Sequence, residues 1–376
     1  MDQAAMDTAA TSAPVTADAS LRSGPARRPL RDGARPRVAL DLTMLAIIGV
    51  LLIAALAAAS AIAYREFYSP SAFVERYLGT LAEGRAADAL TIPGVAVDSA
   101  ALEAAGLPAT PSEALLRRDA LAALTQIEVT SEEEGEDGVV LVTANYQAGA
   151  FPGTTTFEVQ RDGTIGLAPT WRFATSPLAL MDLAVKGSMT FEVNGFEIDK
   201  RQVSPDGADA DPLAALSLLV FSPGIYSVSV DTPISATSGV AVLSDSPFTN
   251  VPVDVQAEPT PQFIALVQQR VEEFLTGCTT QDVLLPTGCP FGFAVQDRVE
   301  SPPKWSMTAQ PTISIVPDGS GWRIPETAAT AHIDVEIQSL FDGSLSELSE
   351  DVPFVVTGTI AILPDGSASI TVSSPQ

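Results

Sequence analysis

Three kinds of hydrophobic pattern follow one another along this chain. Residues 42–64 (LTMLAIIGVLLIAALAAASAIAY) contain no charged side chain, and a helix of that length spans about 34 Å, enough to cross a bilayer once. Next come segments whose apolar positions have a helical period, and then segments in which apolar and polar positions alternate. The pattern predicts one transmembrane helix followed by short helices and antiparallel strands.

Two interpretations of the apolar segment compete. Ala61-Ile62-Ala63 resembles a signal-peptidase site and Arg27-Arg28 a twin-arginine pair, which would make the segment a cleaved signal peptide. However, the segment is longer than the apolar part of a signal peptide, and the arginine pair lies far upstream of it. We therefore expect a retained membrane anchor.

The charges on either side of the anchor predict its orientation. Six arginines precede residue 42, whereas each of the first three arginines after residue 64 has an acidic neighbour. The positive-inside rule then predicts a cytoplasmic N-terminus and an extracytoplasmic remainder. Residues 1–41 carry few large apolar side chains, so they are predicted to form a disordered cytoplasmic tail.

Residues 65–180 are predicted to form an α+β domain. Ser69-Pro70 is typical of a helix start, and apolar residues follow on one helical face as far as Gly84. A capping box at residues 110–113 predicts a second helix, with an acidic loop at residues 132–137 after it. Alternation then predicts strands near residues 139–146, 154–160 and 164–173, with a hairpin turn at Asp162-Gly163.

Two further units are predicted beyond residue 180. Residues 181–257 have the pattern of a small all-β domain, including a hairpin at residues 190–199 that turns at Asn194-Gly195. Residues 258–376 repeat the order of helix then strands: Thr260 caps a helix, and strands are predicted at residues 312–316, 330–338, 352–362 and 367–372. Two helix-plus-sheet units would therefore flank the all-β unit.

Composition excludes several classes of protein. The formal net charge is −26, and residues 65–376 contain 14 basic and 41 acidic side chains, which argues against a nucleic-acid partner. With one histidine and two cysteines, the chain lacks the residues for a His-rich metal site, a paired CxxC zinc site, an HExxH peptidase or an iron–sulfur cluster. Three lysines against seventeen arginines suggest a GC-rich bacterial source.

The two cysteines, Cys278 and Cys289, both lie in the part predicted to be exported. An oxidising compartment favours a disulfide between them, because a catalytic thiol would need a nearby base and nothing in the sequence brings His332 close. We predict a structural disulfide.

Other candidate chemistry is weak. Ser301 and Lys304 match the SxxK spacing of penicillin-binding proteins, but the two prolines between them forbid the helical turn that this motif needs. Asp206, Asp209 and Asp211 offer oxygen ligands for calcium without the EF-hand spacing, so a solvated loop is expected. His332 lies on the polar side of an alternating strand, where exposure to solvent is expected. The sequence thus nominates no catalytic, cofactor-binding or metal-binding residue.

Two segments resemble known families. Residues 72–90 (AFVERYLGTLAEGRAADAL) resemble the opening helix of NTF2-like domains, in which a helix packs into a cone of curved antiparallel sheet. Residues 190–230, with FEVNG and FSPGIYSV, are similar to the β modules of the teicoplanin-resistance-associated envelope proteins of Gram-positive bacteria. That family commonly begins with a cysteine-rich zinc ribbon, and this chain has no cysteine before residue 278.

These resemblances imply an actinobacterial-type, single-pass protein of the cell envelope with NTF2-like extracytoplasmic units. We expect a non-enzymatic protein that is held in the lipid bilayer by residues 42–64 and whose acidic extracytoplasmic region binds an envelope protein or a wall component. The alternative is a small-molecule sensor or carrier that uses an NTF2-like pocket. A hydrolase built on unrecognised carboxylates is a third hypothesis, without a nominated pair.

Overall fold

The computed structural model describes residues 36–166, 168–363 and 365–373. In this part of the chain, one apolar helix is followed by a region built mostly of β-strands with a few helices. The chain divides into two compact units between Ser60 and Ala61. Most of the predicted disordered tail lies outside the described residues, but helix α1 already begins at Pro36, so residues 36–41 are helical rather than disordered.

Helix α1 (Pro36–Phe67) contains the predicted membrane segment. Its part Leu40–Phe67 is, among the described residues, the single helix long and apolar enough to cross a membrane. The most apolar stretch of that helix is not buried by any other residue that the structure describes. A single-pass membrane protein is consistent with this finding.

The region after α1 opens with three helices and a four-stranded antiparallel sheet. The elements are α2 (Pro70–Ala82), α3 (Ala86–Leu90), α4 (Ser99–Ala104), β1 (Leu124–Glu134), β2 (Val139–Ala148), β3 (Phe151–Ile165) and β4 (Ala168–Phe173), with the strands in sequence order across the sheet. The predicted start of α2 is confirmed: the Ser69 hydroxyl accepts a hydrogen bond from the Ala72 amide, and Pro70 is the first helical residue. The apolar face of α2 and the sheet enclose a first core, which includes Phe73, Tyr77, Phe157 and Phe173.

The middle of the chain consists of short strands, one short α-helix and a 3-10 turn at Gly207–Asp209. They are β5 (Leu178–Lys186), β6 (Thr190–Val193), β7 (Phe196–Asp199), α5 (Lys200–Val203), β8 (Leu216–Phe221), β9 (Gly224–Ser229), β10 (Ser235–Ala236), β11 (Val240–Ser244), β12 (Asn250–Gln256) and β13 (Glu258–Pro259). The predicted hairpin is confirmed: β6 pairs with β7, and Asn194 and Gly195 both have the positive φ that its two-residue turn requires.

Strand β5 is buried on both faces. Leu178 and Leu180 belong to the first core, whereas Met181 and Leu183 belong to a second core built mainly from the middle strands. The side chains of the neighbouring strand β8 are likewise divided between the first and second cores. Leu115, which precedes β1 in the chain, also belongs to the second core. The first two cores are therefore built from interleaved segments, and the domain boundary at residue 180 stays a prediction.

The C-terminal part combines one helix with a six-stranded sheet. The elements are α6 (Pro261–Thr279), β14 (Arg298–Val299), β15 (Lys304–Ala309), β16 (Val316–Asp318), β17 (Gly321–Gln338), β18 (Leu345–Ile362) and β19 (Ala368–Ser373). As predicted, Thr260 caps α6, and its hydroxyl accepts a hydrogen bond from the Phe263 amide. The helix buries Phe263, Val267, Val271 and Leu275 in a third core together with Trp322.

The second predicted helix, at residues 110–124, is wrong. Ser112 instead forms a parallel β-bridge: its amide donates to the Ser217 carbonyl and its carbonyl accepts from the Leu219 amide. Leu115 is fully buried in the second core, and β1 already begins at Leu124. Bonds to strand β8 therefore replace the local capping pattern, because tertiary pairing and burial outweigh a weak helical preference.

Three smaller predictions also change. Asp162-Gly163 is not a turn: β3 continues to Ile165, and a register shift between Arg161 and Gly163 leaves Asp162 as the extra residue of a bulge. Glu132 to Glu134, predicted in a loop, extend β1. In the segment 312–316 only Val316 belongs to a strand, although Ile313 and Ile315 are buried. The predicted turn at residues 364–366 includes Pro364, which lies outside the described residues.

Candidate functional site

Polar side chains gather on the outer face of the β17–β18 hairpin. Along β17, Ala331, Ile333 and Val335 are buried in the third core, so the residues between them point to the opposite face. The register of the hairpin sets His332 opposite Asp351, and Asp334 opposite Ser349. We call these four residues the His332 cluster.

The imidazole of His332 has partners on both ring nitrogens. Nδ1 lies 2.8 Å from an Asp351 carboxylate oxygen, while Nε2 lies 3.3 Å from Asp334 and 3.0 Å from the Ser349 hydroxyl. The side chain is 25% exposed. The sequence correctly predicts the polar face on which His332 lies, and the ring is in part exposed there, with three neighbouring side chains bound to it.

Hydrogen bonding shifts the pKa values in this cluster in opposite directions. The bond to Asp351 raises the pKa of His332 above its ordinary value of 6.5, and Asp334 adds to this effect. The pKa of Asp334 is lowered, first by the hydroxyl hydrogen bond from Ser349 and then by His332. The contact between His332 and Asp334 therefore favours the charged form of both side chains.

Ser349, His332 and Asp351 have the connectivity of an acyl-transfer triad, but their proton arrangement opposes that chemistry. A catalytic base must accept a proton from the serine through a free nitrogen lone pair. Here the second carboxylate, Asp334, shares the Nε2 side of the ring with Ser349, and the Ser349 hydroxyl donates to Asp334 rather than to the imidazole. The cluster is better suited to holding charge than to activating a nucleophile.

The single histidine of the chain permits a direct test of this arrangement. We expect the imidazole of His332 to titrate above its ordinary pKa of 6.5, and the Asp351→Asn variant to titrate lower. Since the folded-state pKa is the raised one, the stabilisation from this contact is complete below the unfolded-state pKa and is lost as pH rises through the folded-state pKa. NMR titration of the imidazole C–H signal measures both proteins. A wild-type midpoint at or below that of the variant would contradict the assignment.

An acidic cavity of about 570 Å³ adjoins the cluster. Its walls carry the carboxylates of Asp282, Asp334, Glu336 and Glu347, and Lys304 is its one basic wall residue among those the structure describes. Strands β15, β17 and β18 hold most of these side chains on one face, and we call this site the acidic cavity. A positively charged group is the electrostatic complement of such a wall.

Ser301 and Lys304 of the SxxK spacing both line the acidic cavity, but they form no helical turn. Lys304 begins strand β15, and the Ser301 hydroxyl accepts a hydrogen bond from the Glu336 amide at 3.1 Å. As the two prolines predict, the segment is not helical, and the penicillin-binding chemistry has no geometric basis here.

The three aspartates at residues 206–211 do not combine into a cation site. Within the described ranges, no group of three or more His, Cys, Asp and Glu side chains is arranged to hold a metal ion. Two carbonyl oxygens next to these aspartates, those of Pro212 and Ala214, instead accept hydrogen bonds from the buried ammonium group of Lys200. Burial lowers the pKa of Lys200.

The two cysteines lie at disulfide distance, with 2.08 Å between the Cys278 and Cys289 sulfurs. Cys278 is buried near the C-terminal end of α6, on the same face as Leu275, and Cys289 lies in the loop after the helix. The same loop is held by the Trp305 indole, which donates to the Val283 carbonyl, and by the Phe291 ring packed against Trp305. The pair therefore has a structural setting at the end of α6.

Comparison with protein-family models, with curated proteins and with solved structures gave no match. The site must therefore be interpreted from its own geometry. Sequence reasoning missed the acidic cavity because Asp282 comes from a distant loop and the other three carboxylates meet only through the register of the β17–β18 hairpin. Locating the hairpin turn between β17 and β18 would have revealed the pairing of His332 with Asp351, since the register of a hairpin follows from its turn.

Proposed function

We propose that this is a non-enzymatic, single-pass protein of the bacterial cell envelope. Its N-terminus is cytoplasmic, and its acidic extracytoplasmic region binds a positively charged segment of an envelope protein or a wall component. The observation that carries the proposal is the acidic cavity on the C-terminal sheet. The apolar helix Leu40–Phe67 supports the anchoring, and the arginines before it support the orientation.

The proposal includes an NTF2-like architecture for the first helix-plus-sheet unit and for the C-terminal one, and a distant relationship to the teicoplanin-resistance-associated proteins. In the first unit, α2 packs on the antiparallel sheet β1–β4, and in the C-terminal unit, α6 packs on strands of the six-stranded sheet. A helix packed on an antiparallel sheet in both units supports this part of the proposal.

Side-chain packing weighs against the small-molecule carrier. An NTF2-like carrier needs an open cone, but in the first unit the rings of Phe73, Tyr77, Phe157 and Phe173 occupy the space between α2 and the sheet. Phe173 lies 4.9 Å from Phe73 and 5.1 Å from Tyr77, centroid to centroid, so these rings are in direct contact.

The double variant Glu336→Gln/Glu347→Gln tests the acidic cavity. It removes two negative charges from the cavity wall without changing side-chain size, and we expect about fivefold less partner to be captured by crosslinking on intact cells that carry the tagged full-length protein. The matched control is Glu133→Gln/Glu136→Gln, which removes two exposed carboxylates elsewhere on the surface and should leave capture unchanged.

If both double variants reduce capture by the same factor, binding depends on the overall charge rather than on the cavity. The same cells test orientation: a tag at the C-terminus should be open to external protease, and a tag at the N-terminus should be protected. The reverse pattern would exclude an extracytoplasmic binding role.

A further inference from the structure

An apolar patch lies beside the C-terminal end of helix α1. A cavity of about 340 Å³ is walled there by Phe67, Tyr68, Ile165, Pro169 and Trp171 among others. These residues come from the end of α1, the segment after it, and the β3–β4 hairpin. We call them the membrane-side patch.

Hydrogen bonds connect the membrane-side patch to the helix end. The Trp171 indole donates to the Tyr68 carbonyl at 2.8 Å, and the Arg76 guanidinium donates to the Phe67 carbonyl at 3.4 Å. The Ser69 hydroxyl joins the two helices, since it donates to the Arg65 carbonyl of α1 and accepts from the first turn of α2. Only Tyr68 and Ser69 lie between α1 and α2.

Large apolar side chains of the patch are exposed. Ile165, at the end of β3, is 77% exposed, Phe67 is 62% exposed and Tyr68 is 46% exposed. Contiguous apolar surface of this kind marks a contact with another apolar body. Aromatic side chains at the end of an apolar helix are typical of the layer where lipid headgroups meet acyl chains.

We propose that the membrane-side patch sits in the headgroup–acyl boundary of the bilayer, with lipid as its partner. The inference rests on the proposed anchoring by α1. Phe67 is the last residue of the apolar helix Leu40–Phe67, so it marks the end of the proposed membrane span. Ile165 lines the same cavity as Phe67, and we therefore infer that it lies at a similar depth in the bilayer. The β3–β4 hairpin is then a second attachment, and it restricts tilting of the first unit relative to the bilayer surface.

Two arginines are placed to assist this contact. Arg76 lies at the carbonyl end of α1, and the Arg161 guanidinium lies 5.8 Å from the centre of the Trp171 ring. Both are exposed, in a region whose overall charge is strongly negative. At the rim of the membrane-side patch they can approach lipid phosphates while the apolar side chains enter the acyl boundary.

Single engineered cysteines provide the test, because the two native cysteines are paired with each other. Full-length Ile165→Cys is labelled with an environment-sensitive fluorophore and reconstituted in vesicles of phosphatidylcholine and phosphatidylglycerol, with and without brominated acyl chains. Phe67→Cys marks the end of the span. Phe341→Cys, at 98% exposure in the segment between β17 and β18, is the matched apolar control.

We expect brominated lipid to quench the label at residue 165 severalfold more than the label at residue 341, and about as much as the label at residue 67. Quenching at residue 67 alone would overturn the inference and leave the anchoring intact. A blue shift at residue 165 that is independent of bromine would assign the patch to a protein contact instead. Failure of the protein to float with the vesicles would overturn both the anchoring and the inference, and equal quenching at all three positions would indicate unspecific adsorption and overturn the inference.

Discussion

Phe173→Ala is expected to lower the free energy of unfolding by about 4 kcal/mol, because it removes a buried ring on which three others pack. Phe173 is 1% exposed, and its ring centre lies 4.9 Å from that of Phe73, 5.1 Å from Tyr77 and 5.9 Å from Phe157. The three remaining rings come from two different elements, α2 and β3, so they cannot close the gap by a simple shift.

Urea unfolding of the full-length protein in detergent, followed by near-ultraviolet circular dichroism, measures this loss. The control is Phe341→Ala, which truncates the same side chain at 98% exposure and should change the free energy by less than about 0.5 kcal/mol. A similar small effect for Phe173→Ala would mean that the first core is not packed as described.

Removing the disulfide is expected to cost about 3 kcal/mol, because the bond closes a loop between residues separated by 11 positions and restricts the unfolded chain. Cys278 is buried at the end of α6, so its crosslink to Cys289 also holds the loop that carries Phe291 against Trp305. The double variant Cys278→Ser/Cys289→Ser should show this loss in the same unfolding experiment.

The reductant dithiothreitol supplies the control. It should destabilise the wild-type protein by a similar amount and leave the double variant unchanged, since the variant has no bond to reduce. A wild-type stability that does not respond to reduction would show that the two sulfurs contribute nothing to folding.

Local patterns predicted those elements whose signals lie within a few residues. Ser69 and Thr260 cap α2 and α6 because a side-chain oxygen reaches an amide three residues further on, and the Thr260 hydroxyl also donates to the distant carbonyl of Pro233. The Asn194-Gly195 turn follows in the same way, from the positive φ that these two residue types tolerate.

Prediction failed where a distant strand competed for the backbone. The capping box near Ser112 is a sound local signal, but strand β8, about a hundred residues later, binds both the amide and the carbonyl of Ser112. Strands β5 and β8 were missed for a related reason. They are buried on both faces, so they lack the alternation by which a half-buried strand is recognised.

The candidate site was predictable only in part. Alternation along β17 places His332 on the polar face, yet its partner Asp351 belongs to the next strand and Asp282 of the acidic cavity to a loop. The contact of His332 with Asp351 depends on the register of the hairpin, and the position of Asp282 depends on how a separate segment packs against it.

By itself, the sequence determined the apolar helix, the capped helices, the Asn-Gly hairpin, the cysteine pair and the acidic charge, because each depends on residue chemistry or on neighbours within one or two turns of chain. Only the tertiary structure decided that the first two cores share β5, that His332 is bound between two carboxylates, and that Ile165 lies beside Phe67. The physical reason is that strand pairing and core burial join residues far apart in sequence, and the free energy of those contacts exceeds local preference.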